Sequence, residues 1–184
     1  MRAEYENVLD DHLGKIHFTY VNTWDELLPA HWHEHLEIIY VLGGEITASI
    51  NDVSYELEKG DIFLVNSNDI HYTYTHEDAR YYLLQIPPVH LERISAKWKG
   101  LKFQELIRSK SADACVQGEQ LENVQGKGLV EMRENRKSTN RADDLYDQLR
   151  DVFRKIAGFY EEKKEGYHLL VLSAVYRLLY FLYT

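Results

Sequence analysis

Hydrophobic and polar residues alternate along short runs in the first half of the chain. The segment KIHFTYV places Ile16, Phe18 and Tyr20 on one face of an extended chain, a repeat that is typical of half-buried β-strands. Turn signals such as Gly43-Gly44 and Asn51-Asp52 separate these runs, and the second pair suits a two-residue hairpin. About eight strands joined by short turns predict an antiparallel sandwich or barrel.

The hydrophobic period changes after the pair Pro87-Pro88. Apolar residues recur at helical spacing from Asp143 onward, and we expect Gly158 to weaken or kink this helix. Gly166 separates it from a second helix, YHLLVLSAVYRLLYFLYT, so the two are predicted to form a helical hairpin. Residues 109–140 are rich in glycine, serine, asparagine and charge, which predicts long loops or poorly ordered structure there.

The last helix is apolar on nearly all sides. A membrane span needs about 20 apolar residues, whereas this run is shorter and contains Arg177, so no membrane association is predicted. We expect one side to pack on its own domain and another on a second copy of the chain, which would form a homodimer. The alternative is a helix wholly buried within one monomer. The predicted dimer contacts are Leu172, Val175, Tyr176, Leu179 and Leu182.

Composition and charge narrow the functional classes. The chain has 184 residues, of which 45% are hydrophobic, enough to bury a sizeable core. Its 21 Lys and Arg residues against 30 Asp and Glu residues give a formal charge of -9, which opposes DNA binding by this chain. A single cysteine, Cys115, excludes an intramolecular disulfide, and the first residues lack a secretory signal pattern. The cytoplasm is therefore the expected location.

The segment HWHEHLE, residues 31–37, concentrates the candidate chemistry. In an extended strand its odd-numbered residues point to one face. These residues are His31, His33, His35 and Glu37. A metal site, a polar ligand pocket and a solvated histidine-rich loop are three interpretations of such a stretch.

The spacing of these residues resembles the two sequence motifs of the cupin superfamily. Those motifs have the general form H-x-H-x3/4-E-x6-G followed by G-x5-P-x-G-x2-H-x3-N. His31, His33 and Glu37 fill the first motif, and His71 fills the second. The resemblance implies a double-stranded β-helix barrel in which these four side chains converge.

The sequence departs from the cupin motifs at four positions. Asp25 stands where the first motif opens with glycine, and Thr75 stands at the closing asparagine of the second. Asn66 and Asn68 stand where the second motif has proline and glycine. We expect Asn68 to supply the positive φ that glycine would.

The predicted site has two chemical interpretations. Three imidazole nitrogens and one carboxylate suit a divalent transition metal, namely Zn, Mn, Fe, Ni or Cu. The predicted metal ligands are His31, His33, Glu37 and His71. The alternative is a polar pocket of hydrogen-bonded histidines without a metal. The predicted effector contacts are His31, His33, His35, Glu37, Tyr55 and His71, and Tyr55 is included because it shares strand parity with Val53 and Leu57.

The run HWHEHLEIIYVLGGEITASINDVSYELEKGDIFLVNSNDIHYT also resembles the amino-terminal sensing domain of AraC-type bacterial transcription regulators. The resemblance covers residues 25–90, and the helices at 143–183 resemble the dimerisation helices of those regulators. It implies that the barrel binds a small effector, often a sugar, and that the helices pair two subunits. DNA is read in that family by two helix-turn-helix units further along the chain.

We therefore predict three parts of the chain. Residues 1–90 form a cupin-like effector-binding barrel, residues 91–142 a loop-rich connecting segment packed on it, and residues 143–184 a helical dimerisation hairpin. No helix-turn-helix pattern occurs before Thr184, so we expect a sensor and dimerisation portion that contacts DNA only through a segment missing here.

Two other functions remain open at this point. One is a metal-dependent single-domain cupin enzyme, such as an isomerase, epimerase or dioxygenase, since an open metal site polarises carbonyls or activates oxygen. Against it, no second acid-base pair stands out in the sequence, and no catalytic residue is assigned. The other is a cupin barrel that serves only for dimerisation and binds no ligand.

Overall fold

The computed structural model describes residues 3–8, 15–76, 78–108 and 131–184. Within these ranges there are ten β-strands and three α-helices. The strands are Glu4–Tyr5 (β1), His17–Thr23 (β2), Glu26–Trp32 (β3), Leu36–Gly43 (β4), Ile46–Ile50 (β5), Val53–Leu57 (β6), Ile62–Val65 (β7), His71–Thr75 (β8), Ala79–Ile86 (β9) and Leu106–Ile107 (β10). The helices are Pro88–Ile94 (α1), Glu131–Glu162 (α2) and Tyr167–Tyr183 (α3), with a short 3-10 helix at Trp98–Gly100.

The strands form two five-stranded sheets. Sheet A has the order β1-β3-β8-β5-β6, and sheet B has the order β10-β7-β4-β9-β2. All of these pairings are antiparallel except that of β1 with β3. The chain passes repeatedly from one sheet to the other, as in a double-stranded β-helix. The predicted fold class, a barrel of this type followed by an antiparallel helical hairpin, is confirmed.

Alternating side chains of β4 divide the core into two layers. Ile39 and Val41 point into the barrel, whereas Ile38 and Tyr40 point to the outer face of sheet B. The inner layer lies between the two sheets. It comprises Ile39, Val41, Ile46, Ala48, Ile50, Leu57, Phe63, Val65 and Ala79.

Helices α2 and α3 cover the outer face of sheet B. Their apolar side chains form one continuous core with the outer layer of the barrel, and the rings of Phe153 and Tyr40 lie 5.5 Å apart. Each large side chain buried in this way stabilises the fold by roughly 1.5–3 kcal/mol. The barrel and the hairpin therefore share a core, and the division at residues 90 and 142 stays a prediction.

Helix α2 is longer than the sequence predicts. It begins at Glu131 instead of near Asp143, and it continues past Gly158. Residues 131–140 are therefore helical, which corrects the expectation of loops, while residues 109–130 lie outside the described residues. The first part of α2, EMRENRKSTNRA, has a single large apolar residue, so it carries no hydrophobic stripe from which a helix is predicted.

Helix α3 buries side chains that the sequence assigned to a partner. Val175 and Leu179 are 0% and 1% exposed within the single chain, so no second copy reaches them. Leu172, Tyr176 and Leu182 are half-buried. The solvent-facing side of α3 instead carries Leu169, Leu170, Tyr180 and Tyr183. Val175 and Leu179 are therefore removed from the predicted dimer contacts. The homodimer itself stays a prediction.

Among the described residues, no helix combines the length and the apolar character that a transmembrane helix needs.

The segment after α1 is fastened to the barrel by polar side chains. Asn66 donates a hydrogen bond from Nδ2 to the Phe103 carbonyl (3.1 Å) and accepts one at Oδ1 from the Phe103 N–H (2.7 Å). The guanidinium of Arg108 donates from Nε and Nη2 to the carboxylate of Asp61 at 2.8–3.0 Å. Asn66, which replaces the motif proline, therefore anchors the connecting segment.

Two other departures from the cupin motifs preserve a glycine-like backbone. Asn68 has a φ of 67°, which confirms the expectation for this residue, and Asp25 has a φ of 47°. Asn and Asp are the residues other than glycine that most readily adopt the left-handed region.

Candidate functional site

A β-bulge in β3 brings two of the predicted site histidines face to face. Leu28 on β3 pairs with Thr73 on β8. The next pair in the register is His31 with His71, so β3 carries one extra residue at Pro29-Ala30. Proline has no N–H to donate to the strand ladder, which suits it to a bulge. The imidazole centroids of His31 and His71 lie 4.0 Å apart, and both side chains are buried.

The turn between β3 and β4 adds His33 and Glu37 to this pair. Glu37 is the second residue of β4 and points into the barrel, where it is 3% exposed. Its Oε2 lies 3.0 Å from His33 Nε2 and accepts a hydrogen bond from Gln85 Nε2 on β9 at 2.9 Å. Its Oε1 lies 3.8 Å from His71 Nε2. The structure therefore brings together His31, His33, Glu37 and His71, as the sequence predicted.

Two of these imidazoles present an acceptor nitrogen without a hydrogen bond. His31 Nδ1 lies 2.8 Å from the Pro29 carbonyl, and His71 Nδ1 lies 3.0 Å from the Asp69 carbonyl. A carbonyl only accepts, so each Nδ1 carries a proton, and in the neutral form of the ring Nε2 keeps its lone pair. Among the described residues, neither Nε2 has a hydrogen-bond partner, although both are buried. A buried polar atom left unpaired costs about 1–3 kcal/mol, and a ligand that pairs with these nitrogens would remove that cost.

Electrostatics separate the roles of the ionisable groups. Burial alone would raise the pKa of the Glu37 carboxyl, but the hydrogen bonds from His33 and Gln85 and the nearby imidazoles lower this pKa from 4.5 to about 2. Burial opposes the charge of His33, yet the Glu37 carboxylate outweighs it and raises the pKa of His33. Burial and the neighbouring His31 lower the pKa of His71. The Glu37 carboxylate thus favours the charged form of His33, whereas burial favours the neutral form of His71.

The same side chains fit a divalent cation. The ligand nitrogens of His31, His33 and His71 all lie within 4.8 Å of one another. Two ligands about 2.1 Å from a tetrahedral ion are roughly 3.4 Å apart, so a small closure of the cluster forms a site. A histidine whose Nδ1 donates to a backbone carbonyl is the usual metal-binding arrangement, because the bond orients the ring. The metal itself stays a prediction.

Family comparison identifies the chain. A family model described as the AraC-like ligand binding domain matches residues 14–179, which is most of the sequence. The chain belongs to this family. The recognition made from the sequence, a cupin-type sensing domain of AraC regulators, is confirmed. No curated protein matches the sequence significantly.

Solved structures similar to this AraC-like domain include several cupins. An RmlC-like cupin from Shewanella frigidimarina is 20% identical, with 39% of this chain and 66% of the other covered at a TM-score of 0.37. KdgF from a Halomonas species is 23% identical, with 39% and 68% covered and a TM-score of 0.37. A predicted oxalate decarboxylase from Thermotoga maritima is 22% identical, with 38% and 64% covered and a TM-score of 0.36. The chain thus spans less than two thirds of the Thermotoga protein and of the Shewanella cupin.

Two polar residues of the AraC-like domain join the site without having been predicted. Gln85 is a buried amide in the otherwise apolar run YYLLQI, and this interruption is a signal that identifies it in retrospect. Glu6 lies near the histidines because β1 pairs with β3, placing Glu4 beside His31 in the register. No local pattern distinguishes Glu6, because its position depends on a pairing between distant segments.

Two predicted effector contacts lie outside the cluster. The chain is not one regular strand from His31 to Glu37, because β3 ends at Trp32 and β4 begins at Leu36. His35 therefore does not share the face of its neighbours as predicted. It is half-buried, its ring is 5.8 Å from that of His33, and it lines a different cavity beside Pro87 and Pro88.

Tyr55 lies on the same inner face of sheet A as His71, but on a more distant strand. It lies on the edge strand β6, two strands away from His71 on β8, which corresponds to roughly 10 Å. Its ring packs on Phe63 at 5.2 Å. Val53, with which it shares parity, is 54% exposed, because β6 borders the open edge of sheet A. The role of Tyr55 as an effector contact stays a prediction.

Proposed function

We propose that this chain is the effector-sensing and dimerisation portion of an AraC-type transcriptional regulator that works in the cytoplasm. Membership of the AraC-like ligand-binding family supports a small-molecule ligand. The formal charge of -9 is unfavourable for contact with DNA, so DNA binding is assigned to a different segment of the regulator.

One observation carries the proposal. The interior of the barrel holds two buried acceptor nitrogens, His31 Nε2 and His71 Nε2, that lack hydrogen-bond partners within the described chain. Two kinds of ligand satisfy such lone pairs. Sugar hydroxyls donate hydrogen bonds to them, and a divalent transition metal coordinates them together with His33 and Glu37. Binding of either ligand removes the free-energy cost of leaving these two nitrogens without a hydrogen bond.

A route to the site is present at the surface. A cleft of about 440 Å³ reaches His31 from the side of β1 and is also lined by Glu6, Pro29 and Ala30. Its volume lies within the range of small-molecule sites, about 300–1,000 Å³. The cleft is lined by residues of β1 and β3, and an effector that continues from His31 to Glu37 also contacts β4. Because β4 also carries Tyr40, which packs on Phe153 of α2, a shift of this strand reaches the hairpin.

Signalling then depends on differential affinity. A ligand shifts the equilibrium between two arrangements of barrel and hairpin only by the ratio of its affinities for them.

For a homodimer, the solvent-facing side of α3 is the surface we assign to pairing. Its spacing of four and three residues is that of a helix–helix contact. The exposed residues of this side are Leu169, Ser173, Tyr180 and Tyr183, and the half-buried Tyr176 lies between them.

Thermal unfolding tests the assignment of the site. The wild type is melted with a panel of neutral sugars in the presence of a chelator, and separately with Zn²⁺, Mn²⁺ or Ni²⁺ without sugar. A ligand at 100 times its Kd stabilises the folded state by about 2.7 kcal/mol and raises the Tm. We expect the shift to be lost in His71→Ala and kept in His168→Ala, since His168 is exposed on α3. A shift that survives His71→Ala contradicts the site.

The charged Glu37 favours a second function, that of a metal-dependent isomerase or epimerase. A buried, ionised carboxylate and two bare imidazole nitrogens suit a metal ion, which would polarise a substrate carbonyl and so acidify the carbon-bound proton beside it. Incubation of the metal-loaded chain with aldoses and ketoses in D2O, followed by proton NMR, detects abstraction of a carbon-bound proton. Exchange that is lost in Glu37→Gln and kept in Glu34→Gln supports the enzyme. Absence of exchange with the whole panel favours the sensor.

A further inference from the structure

A second carboxylate faces the histidine cluster from the mouth of the barrel. Glu6 Oε2 lies 3.7 Å from His31 Nε2 and 3.8 Å from His33 Nε2. Glu37 approaches His33 and His71 from within the barrel. The cluster is therefore bracketed by two acidic side chains, one directly after β1 and one from β4. We propose that Glu6 is a direct ligand of the metal ion in this site, in addition to the four predicted ligands.

The distances favour coordination over hydrogen bonding. A separation of 3.7–3.8 Å between Glu6 Oε2 and the two imidazole nitrogens is too long for a hydrogen bond. Two ligands that share one ion are about 3.0 Å apart at a right angle and roughly 3.4 Å apart in a tetrahedron, for bonds of about 2.1 Å. The observed distances exceed the tetrahedral value by a few tenths of an ångström and the right-angle value by nearly 1 Å. A bound cation closes that gap by attracting the carboxylate.

The backbone holds Glu6 in this position. Its N–H donates a hydrogen bond to the Trp32 carbonyl at 3.0 Å, directly beside the end of β3. The ring of Tyr5 packs edge-on against the ring of Trp32, with the centroids 4.9 Å apart. Glu6 is thus presented to the cluster by the parallel pairing of β1 and β3, and only its side chain has to move to reach an ion.

Exposure distinguishes the two carboxylates. The side chain of Glu6 is 37% exposed, whereas that of Glu37 is 4% exposed. Glu37 is fixed by His33 and by Gln85 Nε2 at 2.9 Å, whereas the Glu6 carboxylate accepts a longer hydrogen bond from the same Gln85 Nε2 at 3.5 Å and faces the cleft through which a ligand enters. Glu6 is therefore the ligand that an incoming effector has to displace or share. The inference rests on the metal form of the proposed function.

Metal titration of matched variants tests the role of Glu6. Zn²⁺ binding is measured by calorimetry for the wild type, Glu6→Gln and Glu4→Gln, and the visible spectrum of bound Co²⁺ reports on the coordination of the ion. Glu4→Gln removes the same charge from the same strand, but at an exposed position. Loss of a group that only supports a ligand weakens metal binding about 10- to 100-fold, so loss of a ligand is expected to cost at least about 10-fold.

We expect Glu6→Gln to weaken Zn²⁺ binding at least about 10-fold and to change the Co²⁺ spectrum. Glu4→Gln is expected to keep the wild-type affinity and spectrum. A Glu6→Gln protein with wild-type affinity and spectrum overturns the role of Glu6 and leaves the metal site standing. Equal weakening in both variants shows a general effect of charge and also overturns it. A wild type that binds neither ion overturns the metal site together with this inference.

Discussion

His31 and His71 face each other across the β3–β8 pairing, each with Nδ1 bonded to a backbone carbonyl and Nε2 directed into the barrel without a hydrogen bond within the described chain. The pairing exists because the bulge at Pro29-Ala30 shifts β3 by one residue. Regular pairing from Leu28 onward would set Ala30, and not His31, opposite His71.

The unpaired nitrogens predict that a substitution at the site can abolish ligand binding with little loss of stability. In a chelator, we expect His71→Leu to change the free energy of unfolding by less than about 1 kcal/mol, because the removal of the unpaired Nε2 offsets the loss of the hydrogen bond from Nδ1 to the Asp69 carbonyl. His90 is a matched control, since it is equally buried but its Nδ1 lies 2.9 Å from the Tyr176 hydroxyl. His90→Leu is expected to lower the same free energy by about 1–2 kcal/mol. Urea unfolding that shows equal losses in both variants contradicts the prediction.

The pKa of Glu37 predicts a loss of stability in acid. A carboxyl with a pKa of about 2 in the folded state and 4.5 otherwise stabilises the fold fully above pH 4.5, and this contribution disappears as the pH falls toward 2. Its size is on the order of 3 kcal/mol. The raised pKa of His33 acts oppositely, since its contribution is present below pH 6.5 and is lost as the pH rises through the folded-state value.

Urea unfolding of the chelated protein across this pH range measures both effects. The difference in unfolding free energy between the wild type and Glu37→Gln is expected to be largest in the middle of the range and to shrink in acid. Glu34→Gln, an exposed change in the same turn, serves as the control. A difference that stays constant down to pH 3 would falsify the assignment of Glu37 as a buried, ionised partner.

Two glycines are predicted to respond in opposite ways to alanine. A Cβ on Gly44, whose φ is +73°, would lie 2.5 Å from the Asp78 carbonyl oxygen, so Gly44→Ala is expected to destabilise the protein by about 1–3 kcal/mol. A Cβ on Gly158 meets nothing within 4 Å inside helix α2, so Gly158→Ala should stabilise it by about 0.5–1 kcal/mol. Thermal melting of the two variants checks the signs, and a stabilising Gly44→Ala would refute the strained turn.

The exposed face of α3 predicts where a dimer is broken. Leu169 and Tyr180 are 62% and 61% exposed, so changing both to lysine should leave the fold intact while preventing association. Light scattering after size-exclusion chromatography is expected to show a dimer for the wild type and a monomer for the double variant. Val53→Lys, which replaces an equally exposed apolar residue on β6, should remain dimeric. A monomeric wild type at high concentration rules out the homodimer.

Much of the site was open to prediction because its spacing is local. The positions of His31, His33 and Glu37 follow from one seven-residue segment, and His71 follows from a motif resemblance. Gln85 and Glu6 were not predicted, since their roles depend on which strands become neighbours. His35 was assigned to the shared face because strand parity was extended through a stretch that is a turn.

The amino-acid sequence by itself determined the strand periodicity, the helical hairpin and the segment that holds His31, His33 and Glu37, because these depend on side-chain patterns within short segments, and the motif resemblance added His71. Tertiary structure alone decided the long-range features. The bulge sets His31 against His71, the parallel pairing of β1 brings Glu6 to the mouth, and the packing of α3 on sheet B buries Val175 and Leu179. Such features arise from contacts between distant segments, and their free energies are absent from any local pattern.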